Sequence, residues 1–452
     1  MFKELSYNHS LISNTIYGRL FEFCHMLKIN KVFNYKYLLD SLIILLNISN
    51  SYSIIPYLLF FQYNRAVNTG IIFLLNIIFL LFRFKCKIKF TFPSLLTLYV
   101  LICGVNVISS FLSSTGFFLT WLYLIANLSF FLILFNCYIE YREFYNISKS
   151  IWLISRGYLW LAIYCVMVSI LLFILIKLGI DPIRNEVSSS MDLFSANAEK
   201  FNSSHYFPFN LSIIINTSFD VTKLPFFYEK GIICGIYHEP HIITFMVFPA
   251  LFILIAYAKN IYKQLSLLII WILVMLMTTS TMNIISFTIC LLFLLSNSSS
   301  GKILLLPFSF LLLYLILKVG IENTDFFFII DKLQGGSMDY SLETIKFAFS
   351  PKTLLGSNFM STSYLEESVH FRRDVGFVSC FLNIIFLISF VYKITKSIFS
   401  KHRMVFFIGL ASLYFFLHSM KVAMVAYTLS MLIFICFLMT VIVDDCRKNV
   451  YS

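Results

Sequence analysis

Long apolar segments dominate this chain and restrict it to the folds that a lipid bilayer allows. A helix needs about 20 mostly apolar residues to cross the hydrocarbon core, and the 452-residue sequence offers about twelve such segments. Only 12% of its residues are charged, against roughly a quarter in soluble domains. Mean hydropathy is +0.86. Backbone groups in lipid must pair within the protein, which favours helices. We therefore expect an all-α, polytopic integral membrane protein.

The predicted spans are separated by short connections and by two large loops. The spans lie near 38–62, 67–83, 91–113, 116–138, 157–179, 240–258, 262–280, 281–297, 302–319, 375–392, 403–420 and 422–442. In chain order we predict an N-terminal segment at 1–37, helices 1–5 in 38–179, a first large loop at 180–239, helices 6–9 in 240–319, a second large loop at 320–374, helices 10–12 in 375–442, and a tail at 443–452.

Lysine and arginine are distributed unevenly between the two ends of these spans. With a cytoplasmic N-terminus, the inside segments hold 21 basic residues, whereas the short outside connections hold only Arg65 and Lys421. Short cytoplasmic loops are enriched in these residues, so both termini are predicted inside and both large loops outside. The same bias accounts for most of the net charge of +12. We therefore attribute that charge to topology and expect no binding of nucleic acid.

The acidic residues are concentrated where the basic topology signal is absent. Of 22 acidic residues, 15 lie in Asp181–Glu239 and Ile321–Asp374, within the two large loops. Chemistry requires polar groups, so the functional site is expected in these loops, at the non-cytoplasmic face. The ten cysteines show no CxxC or Cys/His spacing typical of zinc sites. We expect neither a metal nor a cofactor.

The first large loop ends in a polar run at the start of a predicted helix. Pro240 suits the first helical position, because it has no N–H to satisfy and its φ matches a helix. Glu239 would then be the N-cap, flanked by His238 and His241. Glu is a mediocre N-cap. Glu239 therefore caps the helix, or else this carboxylate or a neighbouring imidazole accepts a proton from a sugar hydroxyl at the membrane surface.

The second large loop closes with two adjacent arginines, Arg372 and Arg373, followed by Asp374. Their position outside the membrane is opposite to the topology rule. Guanidinium groups bind phosphate oxygens through paired hydrogen bonds, which suits a lipid pyrophosphate. The alternative is that both side chains extend to phospholipid headgroups. His370 lies just before them and is either a candidate base or a surface residue.

Several of these segments resemble the bacterial O-antigen polymerases (Wzy), which belong with the O-antigen ligases. The resemblance covers about 231–390 and rests on Gly235-Ile-Tyr-His-Glu-Pro240, the Ser/Thr-rich Thr278–Ser286, Ser337–Phe349, Leu354-Leu-Gly-Ser-Asn358 and Asp374-Val-Gly376. The chain departs from the family at three points. It has His241 where Ser is usual, Gly356-Ser-Asn358 where Gly-x-Gly is usual, and Tyr340 where Arg is often found.

The resemblance implies a glycosyltransferase of the bacterial inner membrane, with GT-C-type architecture and a site facing the periplasm. Donor and acceptor would be oligosaccharide repeat units on undecaprenyl pyrophosphate, polymerised for the O-antigen of lipopolysaccharide without a metal. A chain-length regulator and a flippase are the implied partners. The implied catalytic bases, in order of preference, are Glu239, His241, His238 and His370. The implied pyrophosphate-binding residues are Arg372, Arg373, Arg184 and Lys352.

Two alternatives remain. An O-antigen ligase would perform the same chemistry with lipid A-core as the acceptor. A lipid-linked oligosaccharide flippase or another transporter would place ionisable residues at mid-membrane and often show repeated halves. Charges within the predicted spans are nearly absent, with Asp40 at the edge of the first, and no internal repeat is seen. The transporter is therefore the less favoured of the two.

Overall fold

Helices joined to one small antiparallel sheet form the part of the chain that the structure describes. A computed structural model describes residues 35–49, 65–85, 87–112, 117–180, 184–187, 205–208, 214–216, 232–237, 240–278, 281–296, 377–419 and 429–450. The helices are α1 (Tyr35–Ser49), α2 (Arg65–Phe84), α3 (Ser94–Leu112), α4 (Phe117–Phe144), α5 (Ile147–Lys177), α6 (Pro240–Tyr257), α7 (Ile261–Thr278), α8 (Thr281–Ser296), α9 (Phe377–Ile398), α10 (Arg403–Ser419) and α11 (Leu429–Val450). The strands are β1 (Arg184–Val187), β2 (His205–Pro208), β3 (Ile214–Asn216) and β4 (Ile232–Gly235).

Three helical segments are long and apolar enough to cross a membrane: Ala66–Phe84, Trp121–Phe144 and Ile147–Leu175. Shorter apolar helices accompany them, among them Ile242–Tyr257 and Arg403–His418. A predominantly helical fold with apolar, membrane-length helices agrees with the prediction from hydropathy. The total of twelve spans stays a prediction, and the predicted span at 302–319 lies outside the described residues.

Helices α4 and α5, like α9 and α11, extend beyond the apolar segments predicted for them, and α11 continues to Val450 through most of the predicted tail. The predicted spans were 116–138 and 157–179, whereas α4 continues to Phe144 and α5 begins at Ile147. Asn146 lies between them and acts as an N-cap, because its Oδ1 accepts a hydrogen bond of 2.8 Å from the backbone N–H of Lys149. Hydropathy marks only the apolar part of a helix. The polar turns between these two spans are therefore helical as well.

The pair α6 and α10 forms the centre of the bundle. Phe248 of α6 stacks on Tyr414 of α10 with ring centroids 5.6 Å apart, and Phe245 contacts Phe415 at 4.4 Å. Helix α10 also packs against α8, α9 and α11. Every one of these four side chains is buried. The helix that follows the first large loop is thus held mainly by α10.

Four charged side chains and one tyrosine converge at one end of the bundle. They are called the inner charge cluster (Lys36, Asp40, Arg83, Glu140 and Tyr141) after the side that the sequence predicts for them. Arg83 donates to both carboxylate oxygens of Asp40, at 2.8 and 3.0 Å, and to Glu140 at 2.7 Å. Tyr141 donates to Asp40 at 2.5 Å, and Lys36 pairs with Glu140. These contacts join the start of α1 to the ends of α2 and α4, which the sequence predicts on the cytoplasmic side.

The end of α6 and the start of α10 lie at the same end of the bundle, because Tyr257 of α6 donates to the carbonyl of Ser148 at the start of α5. Arg403 donates to the carbonyls of Ile255, Ala256 and Ala258 at 2.9, 3.1 and 2.6 Å. A cation at the C-terminal carbonyls of a helix satisfies acceptors that lack intrahelical partners. Since α6 ends here, its first turn lies at the opposite end, which the sequence predicts outside.

The first large loop contains a sheet that hydropathy did not predict. Strands β1 to β4 pair in sequence order, all antiparallel, with a register irregularity between Ile214 and Ile215. The expected all-α fold therefore needs one correction, which concerns this loop and leaves the helices unchanged. Each strand has only three or four residues, too few for a clear alternating pattern. Strand β4 packs against α5, α6 and α7 and so attaches the sheet to the end of the bundle where α6 begins, which the sequence predicts outside.

Candidate functional site

A glycine turn connects the sheet to the first turn of α6. Gly235, the last residue of β4, has φ of +63°, a conformation that favours glycine. A Cβ on Gly235 would also lie 2.5 Å from Cδ1 of Ile243 in α6. The positive φ disfavours any larger side chain at this position, and the Ile243 side chain would have to shift to admit one. The turn therefore fixes how the end of the first large loop meets α6.

Tyr237, two residues after this turn, is fully buried. Its hydroxyl has no hydrogen-bond partner among the described residues. Burial raises the pKa of the Tyr237 phenol well above its usual value. Tyr237 is therefore a neutral hydroxyl that can donate a hydrogen bond, and it precedes Glu239 by two residues in the sequence.

Pro240 is the first residue of α6, as the sequence predicted. His241 follows it in the first turn. Thr244 lies one turn further along α6 and is completely buried. About one helical turn therefore separates the backbone of Thr244 from that of Pro240 and His241.

Thr244 belongs to a group of four buried polar residues. They are called the outer polar cluster (Thr244, Asn283, Tyr414 and His418) after the side that the sequence predicts for them. Thr244 Oγ1 and His418 Nε2 are hydrogen-bonded at 2.8 Å. The Tyr414 hydroxyl donates to Asn283 Oδ1 at 2.6 Å and lies 3.2 Å from the Thr244 carbonyl oxygen. Every member has 0% exposure. The cluster joins the first turns of α6 and α8 to the last turns of α10.

Aromatic rings surround the histidine of this cluster. The imidazole of His418 makes edge contacts with Phe245 and Tyr414, with both pairs of ring centroids 5.6 Å apart. Burying polar groups among apolar side chains costs free energy unless they are hydrogen-bonded. Ser286 lies one turn beyond Asn283, and its buried hydroxyl has no partner among the described residues. Polar residues of this kind in membrane helices commonly mark functional sites.

A second group of buried polar residues joins helices through hydrogen bonds and provides a comparison for the outer polar cluster. Asn47 and Asn76 exchange hydrogen bonds of 2.7 and 2.9 Å, and Asn76 also donates to Ser129 at 2.9 Å. This triad joins α1, α2 and α4. Such contacts between membrane helices are worth about 0.6–2 kcal/mol each. The outer polar cluster differs because it lies at the helix turn that follows the Glu239–Pro240 motif.

The structure describes only the backbone of two predicted site residues. His241 lies in the first turn of α6, and Arg184 begins β1, opposite Pro208 of β2. The sheet that contains Arg184 ends in β4, which leads towards His241. The other predicted site residues lie outside the described part of the chain: His238, Glu239, Lys352, His370, Arg372 and Arg373. Among the described residues, no group of three His, Cys, Asp or Glu side chains could hold a metal ion.

No member of the outer polar cluster was predicted from the sequence as a site residue, least of all Tyr414 and His418. The sequence places both inside an apolar span, where hydropathy gives single polar residues little weight. Their spacing of four residues is the available signal, because it puts both side chains on one face of a helix. Asn283 lies in the Ser/Thr-rich segment Thr278–Ser286 that resembles the O-antigen polymerases.

No family model, no curated protein and no solved structure matches the chain.

Proposed function

We propose that this chain is an O-antigen polymerase of the bacterial inner membrane, acting at the periplasmic face. One observation supports this most strongly. The helix that the Glu239–Pro240 motif opens has a buried polar cluster at its first turns, within a bundle of apolar helices. That cluster joins the Thr278–Ser286 segment, through Asn283, to the helix that begins at Pro240, through Thr244. Charged groups gather at the other end of the bundle.

The proposed reaction joins two lipid-linked oligosaccharides. The hydroxyl of the terminal sugar on the acceptor attacks the anomeric carbon of the donor. A new glycosidic C–O bond forms, the C–O bond to undecaprenyl pyrophosphate breaks, and the pyrophosphate leaves with the bonding electron pair. The proton of the attacking hydroxyl passes to a base, for which Glu239 is the first candidate and His241 the second. General-base catalysis of this kind contributes roughly 10²–10⁴ in rate.

The leaving pyrophosphate gains negative charge as the bond breaks. Preorganised cations at a site that excludes water stabilise developing charge effectively. In the proposal Arg372 and Arg373 supply this charge, assisted by Lys352 and by Arg184 from the sheet. The sheet supports a role for Arg184, because β1 belongs to the same four-stranded unit that β4 attaches to α6. The undecaprenyl tails would lie against the apolar outer surface of the helices.

Lipopolysaccharide from a strain that lacks this chain tests the proposed function. A polymerase acts after the first repeat unit is available, so its loss leaves lipid A-core carrying one repeat. A plasmid copy should restore the ladder of longer chains on a silver-stained gel. Bare core in the deletion strain would contradict the proposal and indicate a ligase or a flippase instead.

A further inference from the structure

Resting on the proposed function, we infer that His418 and Tyr414 of α10 are positioning residues for glycosyl transfer. They hold the second turn of α6, through Thr244, and the first turn of α8, through Asn283. The reacting group then depends on α10 for its placement, although α10 itself lies far along the chain from the Glu239–Pro240 motif.

Two side chains of α10 contact Thr244. His418 binds the Thr244 side chain at 2.8 Å, and Tyr414, one turn earlier, approaches the Thr244 carbonyl at 3.2 Å. Tyr414 also donates to Asn283 at 2.6 Å. Because α10 contacts both the side chain and the carbonyl oxygen of Thr244, this turn of α6 cannot rotate without breaking one of these contacts. Thr244 is three residues from His241 and four from Pro240, so a rotation of this turn would move both.

If His418 positions the reacting group, its loss should lower the reaction rate. If His418 only packs within the bundle, its loss should lower stability instead. A displacement of about 1 Å at a reacting group can lower the rate about 100-fold. Packing alone predicts that loss of His418 changes stability while the folded fraction keeps its turnover. The triad of Asn47, Asn76 and Ser129 provides a matched control, because it is also buried and interhelical but joins other helices.

The test compares purified variants in liposomes supplied with lipid-linked repeat units. His418→Leu and Thr244→Val should each lower kcat about 10- to 100-fold with KM for the repeat unit unchanged. The double variant should be no slower than the worse single variant, because both remove one contact. His418→Gln keeps a hydrogen-bonding group near the position of Nε2 and should recover kcat to within about threefold. Asn76→Leu should lower thermal stability without changing kcat.

Three outcomes would show that His418 does not position the reacting group. Wild-type kcat in His418→Leu, or a loss in Asn76→Leu as large as that in His418→Leu, would overturn the positioning role. Equal loss in His418→Gln and His418→Leu, with both variants monodisperse on size exclusion, would overturn it as well. Failure of the proposed function is a separate outcome, since the wild-type protein would then form no polymer in the same assay.

Discussion

At the scale of single residues, the buried ion pair between Asp40 and Arg83 constrains the local structure. The Asp40 side chain has 0% exposure and that of Arg83 has 5%. Two parallel hydrogen bonds join them, and Tyr141 donates a third to Asp40. Removing one partner of a buried pair leaves the other charge uncompensated, at a cost of about 3–5 kcal/mol.

Replacing Arg83 with Ala should therefore sharply destabilise the protein. The Lys89–Glu143 pair at the same end of the bundle is 3.6 Å long and more than half exposed, so Lys89→Ala should cost only about 0–1 kcal/mol. Thermal midpoints in detergent, followed by fluorescence-detected size exclusion, compare the two variants. Equal midpoints for Arg83→Ala and Lys89→Ala would contradict the role of the buried pair.

Glu239 is the residue on which the proposed chemistry depends most. Loss of an N-cap costs about 1 kcal/mol of stability, whereas loss of a general base lowers the rate by roughly 10²–10⁴. Glu239→Gln is nearly isosteric and should accumulate normally while leaving mostly single-repeat lipopolysaccharide. Normal ladders from Glu239→Gln, combined with a loss in His241→Ala or His370→Ala, would transfer the role of base to a histidine.

At the scale of secondary-structure elements, α1 and α5 approach each other closely at Gly157. A Cβ at this position would lie 2.1 Å from the carbonyl oxygen of Ser41. Small residues at helix crossings let membrane helices pack at short distance. Arg156, the neighbour of Gly157, also donates to the Ser41 hydroxyl at 2.9 Å and to the Tyr37 carbonyl at 2.6 Å.

Gly157→Ala should force α1 away from α5 and destabilise the protein by about 1–3 kcal/mol, the usual cost of overpacking. Gly70 of α2 is the matched control, because a Cβ there would meet no atom within 4 Å. Gly70→Ala should be neutral or slightly stabilising, since alanine favours helices. The prediction is wrong if the two variants show the same thermal midpoint.

Sequence patterns predicted helices better than they predicted contacts between them. The apolar runs indicated helices near α2, α6, α7, α8 and α10, and Pro240 was correctly placed at a helix start. Hydropathy could not predict the sheet, because its strands are short and far apart in sequence. Nor could it predict that Tyr414 and His418 meet Thr244 and Asn283, since such contacts depend on how three helices rotate against one another. No alternating or heptad pattern in the sequence specifies that rotation.

At the scale of the whole molecule, the structure separates two chemically different ends. Ion pairs join α1, α2 and α4 at one end, and Arg142 of α4 pairs with Asp445 of α11 at 3.1 Å. The other end holds the sheet and the outer polar cluster. This separation parallels the bias of 21 inside against two outside basic residues in the short segments.

Reporter fusions test the orientation that follows from this polarity. Fusions after residues 215 and 355 should be periplasmic, and those after 260, 398 and the C-terminus should be cytoplasmic, because lysine and arginine are retained inside. Alkaline phosphatase and green fluorescent protein report the two sides in opposite ways. A cytoplasmic signal from either large loop would place the proposed site on the wrong side of the membrane.

Polymerisation by the purified protein tests the central claim most directly. The full chain would be reconstituted in liposomes with undecaprenyl-pyrophosphate-linked repeat units extracted from the deletion strain, and products would be resolved by length. We predict a ladder of lipid-linked chains with more than one repeat, accompanied by release of undecaprenyl pyrophosphate, and no ladder with Glu239→Gln. Repeat units that stay unjoined in the presence of correctly folded wild-type protein would contradict the account.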